Sequence, residues 1–302
     1  MKKLASLICL VSAAMLIGAG PPVFDGRVRP MNWIKPIDPF RIAGNIYYVG
    51  TEGLAAYLID TPDGAILIDG TLEQNATLIE HNIEAVGVPL DKVRILLSDH
   101  AHYDHVGALA QIKRDTGAQF FASAGDRRAL EHGAQGNATI GFPPIKVDRV
   151  LADGQRIQLG NTELTTMLTP GHTQGCTSYT TELREGDRTV KILFLCSLTV
   201  AGNHLVGHPS YPGIVDDYRS TFDRLEHLDA DIVLTSHPEI AQVIEHGRRS
   251  AHGHADAFVD PKLLPRIVKR AEEAFQQRLV VAKAKHRRDA GKNDGDDEEE
   301  HE

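Results

Sequence analysis

Six consecutive residues, His100-Ala101-His102-Tyr103-Asp104-His105, put three imidazoles and a carboxylate into one short stretch of chain. These are the side chains that bind zinc at its usual nitrogen and oxygen ligand positions. A single spacer separates His100 from His102, so in an extended or looping backbone both rings face one cation. Asp104 and His105 turn the other way and can serve a second cation beside the first. A solvated histidine-rich loop is the simple alternative, but four ligand-type residues this close together rarely stand idle.

A catalytic zinc needs about three protein ligands and an open position, so partners must come from elsewhere. His172 sits in Thr169-Pro170-Gly171-His172-Thr173, directly after the alternating stretch 162–168. His237 sits in Thr235-Ser236-His237-Pro238, directly after the apolar run 231–234. The six-residue motif itself follows the apolar run 93–98 and precedes a helical pattern at 106–116 with Leu109 and Ile112 on one side. Each candidate ligand therefore lies at the end of a strand-like run, where open α/β sheets place their sites.

His-x-His-x-Asp-His, a later Gly-His-Thr and a final His after a strand resemble the metallo-β-lactamase superfamily, over about residues 42–238. The resemblance implies an α/β fold, the αβ/βα four-layer sandwich: two β-sheets face to face, helices outside and a dinuclear site at one edge. It implies two Zn2+ per chain, the first held by His100, His102 and His172, the second by Asp104, His105 and His237. Asp69, ending the strand-like run 65–69, resembles the family's buried structural carboxylate; a plain turn aspartate is the other reading.

Within the superfamily, thioesterase-like, glyoxalase-like and lactonase-like members carry a metal-bridging aspartate after the strand read here at 190–195. This chain has Cys196-Ser197-Leu198-Thr199 there and no acid. His105 after Asp104, and the run 197–218, resemble the third subclass of zinc β-lactamases. The implied reaction is hydrolysis of the β-lactam ring of penicillins, cephalosporins and carbapenems, conferring antibiotic resistance. A shared water, lowered from a pKa of about 15.7 toward neutrality, would be the nucleophile. Asp104 would orient it, and Ser197, Thr199 or the second zinc would receive the substrate carboxylate. Hydrolysis of another cyclic amide, lactone or thioester at the same site is the competing enzymatic reading, and a binding module with a relic site is the third. Members of this subclass often carry a disulfide near the C-terminal helix. No cysteine follows Cys196 here, so the docking of that helix is open.

The chain has 302 residues, 42% of them hydrophobic, enough for a sizeable core. Lys2 and Lys3, an apolar run 4–17 and Gly18-Ala19-Gly20 read as a secretory signal peptide over residues 1–20. The run is shorter than the roughly 20 apolar residues of a membrane span, so no stable membrane anchor is expected. The expected location is the periplasm. Export leaves Cys176 and Cys196 as a pair in an oxidising compartment. A disulfide between them is one reading; Cys196 as a thiolate ligand is the other.

The formal charge of −9 comes mostly from the end of the chain, where residues 291–302 hold acids at 294, 296–300 and 302 against Lys292. A disordered acidic tail is expected over 286–302, leaving 21–285 as a single domain. No basic patch points to nucleic acid; a monomer acting on a small molecule is expected. Trp33, in the proline-rich segment 21–39, either packs on the body or lines the site and touches substrate. His81 is read as solvent-exposed, and His204 and His208 as groove-rim residues. Strands are expected at 45–50, 54–60, 65–69, 119–122, 147–151, 155–159 and 162–168. Helices are expected at 72–86, 123–132, 216–228 and 261–285, and a groove-bordering loop at 137–145.

Overall fold

A computed structural model describes residues 30–133, 140–186 and 188–296. The signal peptide expected at 1–20 and residues 137–139 of the expected loop lie outside them.

Two sheets form the centre. The first runs in the order β1 (Phe40–Ala43), β2 (Ile46–Tyr48), β3 (Tyr57–Thr61), β4 (Gly64–Ile68), β5 (Val93–Leu97), β6 (Gln119–Ser123) and β7 (Arg149–Leu151). Its first four strands are antiparallel, and β4 to β7 are parallel. The second contains β8 (Arg156–Leu159), β9 (Thr162–Leu168), β10 (Thr177–Glu185), β11 (Arg188–Leu195) and β12 (Ile232–Thr235), with β11 and β12 parallel. The helices are α1 (Ala76–Ala85), α2 (Tyr103–Val106), α3 (Leu109–Thr116), α4 (Ala124–His132), α5 (Ile214–Glu226), α6 (Val243–Ala251) and α7 (Leu263–Asp296).

Strand periodicity explains the layers. In β4, Ile66 and Ile68 join Tyr57, Phe194 and Leu234 between the sheets, while Ala65 and Leu67 join Ile79 and Ile112 under the helices. In β11, Ile192 and Phe194 face the same inter-sheet core, and Leu193 and Leu195 meet Tyr218 and Phe275 on the other side. Strands buried on both faces need helices on both outer surfaces. The expected αβ/βα sandwich is therefore the observed fold. Each fully buried Leu, Ile or Phe contributes about 1.5–3 kcal/mol by leaving water.

Boundaries differ from the sequence reading in two instructive places. The strand read at 54–60 starts only at Tyr57, because Thr51 N donates to Leu54 O and Leu54 N to Thr51 Oγ1. That turn spends the backbone groups a strand would need. α7 also runs past the boundary expected at Lys285, continuing to Asp296, and residues 297–302 of the expected tail lie outside the described residues. Residues 282–290, Ala-Lys-Ala-Lys-His-Arg-Arg-Asp-Ala, are mostly strong helix formers and carry the helix past Lys285. Despite the missing cysteine, α7 docks through Leu264, Val268, Phe275 and Leu279 against Tyr218 and Phe222.

Asp148 ties the start of β7 to its neighbours, accepting from Phe120 N at 2.9 Å and from Lys113 Nζ. Burial alone would raise its carboxyl, but these donors hold it below the ordinary range. A depressed folded pKa adds stability above the unfolded value, and that stability is lost as the pH falls through the folded one. Asp148→Asn should cost about 1 kcal/mol at pH 7 in urea titrations, a cost that shrinks as the pH falls through the depressed folded value. A penalty independent of pH would contradict this role for the charge.

Candidate metal centre

The ligand-type residues converge at the ends of β5, β9 and β12. Ser98 and Asp99 follow β5, and His100, His102, Asp104 and His105 come next, the last two on the single turn of α2. Around them the backbone is strained. Asp69 and Thr71 adopt φ of 63° and 60°, rare for non-glycine residues and costly for a β-branched one. The reason is local: Gly70 N reaches His105 O at 2.7 Å, and Thr71 bridges to Val106. This strained loop after β4 clamps the turn that carries Asp104 and His105.

Four groups of ligand-type residues result among the described residues, and two of them hold the residues expected to bind metal. His100, His102 and His172 bring one ring nitrogen each to within 4.8 Å of one another, and so do the ligand atoms of Asp104, His105 and His237. In the first, His172 Nε2 stands 3.1 Å from His102 Nδ1. His172 Nδ1 donates to Thr199 O at 2.7 Å, which leaves Nε2 as the free lone pair. In the second, Asp104 Oδ2 is 3.5 Å from both His105 Nε2 and His237 Nε2. The six residues that the sequence grouped are thus together, in the two sets expected.

The electrostatics suit cation binding. Burial, with repulsion from His100, lowers His102 to about 3 and depresses His172 as well, so these rings are neutral with lone pairs available. Burial works against Asp104 as an anion, but His105 and His237 hold its carboxyl well below the usual range. Burial would lower His105, and the carboxylates of Asp104 and Asp99 raise it instead. His100 Nε2 and His105 Nε2 are buried with no hydrogen-bond partner. Orphaned buried nitrogens are rare in native proteins, and here both lie in the clusters. The donor set and its unpaired atoms fit zinc.

The flanking residues sort as follows. Trp33 packs on the body, 8% exposed against Leu54 and Leu72, and its ring centroid is 5.7 Å from that of His237. Ser197 is buried and its Oγ lies 3.0 Å from Thr199 Oγ1, which in turn lies 3.2 Å from His172 Nδ1. These hydroxyls therefore connect to the first cluster. Asp69 is buried below the motif and accepts from Asp99 N at 2.9 Å, as a structural carboxylate would. Cys176 and Cys196 form a disulfide with a Cα–Cα distance of 6.0 Å, because β10 and β11 are paired neighbours. His81, His204 and His208 are exposed and outside both clusters.

Two residues escaped the sequence reading. Asp126, in the first turn of α4, accepts from Ala101 N (2.9 Å), Thr173 Oγ1 (2.8 Å) and Gly175 N (3.0 Å). Burial pushes its carboxyl up and those donors pull it back. It joins the loop of His100 and His102 to that of His172. A Cβ on Gly175 would stand 2.3 Å from Asp126 N, so only glycine allows this approach. An acid in a helical first turn ordinarily reads as a dipole partner, which hides this role. The other residue is Asp99, adjacent to the motif but with no ligand spacing of its own.

Residues 49–237 match the family model described as the metallo-beta-lactamase superfamily. Among solved structures, a subclass B3 metallo-beta-lactamase of Bradyrhizobium japonicum is 40% identical, with a TM-score of 0.81, covering 84% of this chain and 98% of that one. The native metallo-beta-lactamase of Legionella gormanii is 36% identical, TM-score 0.81, over 84% and 99%. A hydroxyacylglutathione hydrolase of Rhodospirillum rubrum is 33% identical over 84 residues, 28% of this chain. The chain spans only 27% of that curated relative's length, and 45% of the length of a second hydroxyacylglutathione hydrolase, from Acidiphilium cryptum.

Proposed function

This chain belongs to the metallo-beta-lactamase superfamily, and we propose that it is an exported enzyme that opens the ring of β-lactam antibiotics with two zinc ions. His100, His102 and His172 would hold the first ion, and Asp104, His105 and His237 the second. The observation that carries the reading is the stretch after β11. Where thioesterase-like relatives need a bridging acid, this chain has Cys196, and its sulfur is committed to Cys176. The subclass B3 neighbours, similar over nearly their whole length, support the same assignment.

Zinc bound there would supply a nucleophilic water near neutral pH and polarise the scissile carbonyl. The chain supplies placement. Asp104, held ionised, accepts a hydrogen bond from the attacking water and orients it toward the carbonyl carbon. Ser197 and Thr199, already hydrogen-bonded to each other beside His172, present hydroxyl donors for the substrate carboxylate. Trp33 forms an apolar wall next to His237 and excludes water from that side. No side-chain nucleophile is needed. The substrate is a small molecule, the working unit a monomer, and the compartment the periplasm, where the disulfide is stable.

The test is hydrolysis of a carbapenem and a chromogenic cephalosporin by protein freed of residues 1–20, with a lactone and a glutathione thioester in parallel. Turnover of the β-lactams should vanish with a chelator and return with zinc. Zinc-replete protein that cleaves the thioester or lactone and leaves both β-lactams intact would overturn the assignment.

A further inference from the structure

Asp99 stands behind both ligand clusters. It is 5% exposed, its neighbouring donors are His100 Nδ1 and the Ser236 hydroxyl, and neither carboxyl oxygen is paired in good geometry. Its backbone is fully used, N–H to Asp69 Oδ1 at 2.9 Å and carbonyl from Thr177 N at 2.7 Å, so the residue cannot turn outward. Its Oδ1 lies 2.9 Å from His100 Nδ1 and 3.8 Å from His105 Nδ1. Those two rings are 4.2 Å apart between centroids. His100 Nε2, on the far side of its ring from Asp99, is buried and unpaired, as are both ring nitrogens of His105, and both residues belong to the clusters.

A buried carboxylate without full hydrogen bonding is costly and needs nearby positive charge. Asp69, a second buried carboxyl, lies 3.4 Å from His105 Nδ1 on the same side, and burial together with Asp99 pushes it up to about 8. An uncharged residue would fill the same turn without that cost. A carboxylate facing the rear nitrogen of a ligating imidazole keeps the proton there, orients the ring and strengthens the ligand.

We propose that Asp99 is a positioning residue shared by the two metal sites. From one buried position it faces Nδ1 of His100 at 2.9 Å, which leaves Nε2 of that ring as the ligand atom, and it sets negative charge 3.8 Å from His105 Nδ1 that bound cations offset. The inference rests on the zinc reading above and adds to it a single carboxylate that couples the two sites.

The measurement is zinc titration against a chromogenic chelator, with thermal unfolding of apo and zinc-loaded protein, for wild type, Asp99→Asn and Asp99→Ser. Wild type should take up zinc. Both variants should bind it roughly 10- to 100-fold more weakly, while their apoproteins unfold at or above the wild-type temperature. Zinc affinity equal to wild type in either variant overturns the proposal. So does an apoprotein destabilised as much as the loaded form, or failure of both variants to fold, since either makes Asp99 merely structural. Wild type that takes up no zinc would overturn the functional reading, and this inference with it.

Discussion

Replacing His237 with alanine should leave a folded protein that retains zinc at one site only and turns over β-lactams on the order of 10²-fold more slowly or worse. The second cluster has three ligand-type residues, and a catalytic zinc site rarely works with fewer. Without His237, Asp104 and His105 remain, and Asp104 loses one of the two rings that hold it ionised. The fold should barely notice. His237 is partly exposed at the end of β12 and contributes a ring contact to Trp33, so the stability cost is within about 1 kcal/mol. Metal analysis of the purified variant, beside its rate on a chromogenic cephalosporin, checks both halves. Full zinc content with a near wild-type rate would remove His237 from the site.

Asp126→Ala should produce the largest loss of stability, about 4 kcal/mol. The change strips the acceptor from Ala101 N, Thr173 Oγ1 and Gly175 N together, and each buried donor left unpaired costs about 1–3 kcal/mol. Water cannot easily replace the carboxylate, because Gly125 and Gly175 bring the two backbones into contact. A Cβ on Gly125 would meet Gln174 O at 2.6 Å. Zinc affinity should fall as well, because Asp126 fixes the loop of His100 and His102 relative to that of His172. Apo and zinc-loaded forms are both weakened here, the opposite of the Asp99 pattern. Chemical denaturation of both forms decides it; a loss under 1 kcal/mol would show that the loops hold each other without the carboxylate.

These two residues mark the difference between what the sequence could and could not disclose. His237 was legible because it follows an apolar run and precedes proline, the local signature of a ligand at a strand end. His172 and the motif at 100–105 likewise follow strand-like runs, and the motif's ligand-type side chains divide between the two clusters. Layer architecture was legible too, since β4 and β11 are apolar on both faces and must be covered twice. All of this is short-range information: which neighbours along the chain share a face.

What only the tertiary structure decided depends on atoms distant in sequence meeting in space. Asp126 reads as an ordinary first-turn acid until Thr173 and Gly175 arrive from another loop. Asp99 reads as a loop residue until His105, six positions on, turns its Nδ1 back toward it. The two readings of Cys196 were separated by the pairing of β10 with β11, a register that no local pattern specifies. Ligand types and their order are written along the chain; the buried charges that hold the ligands in place emerge only from packing.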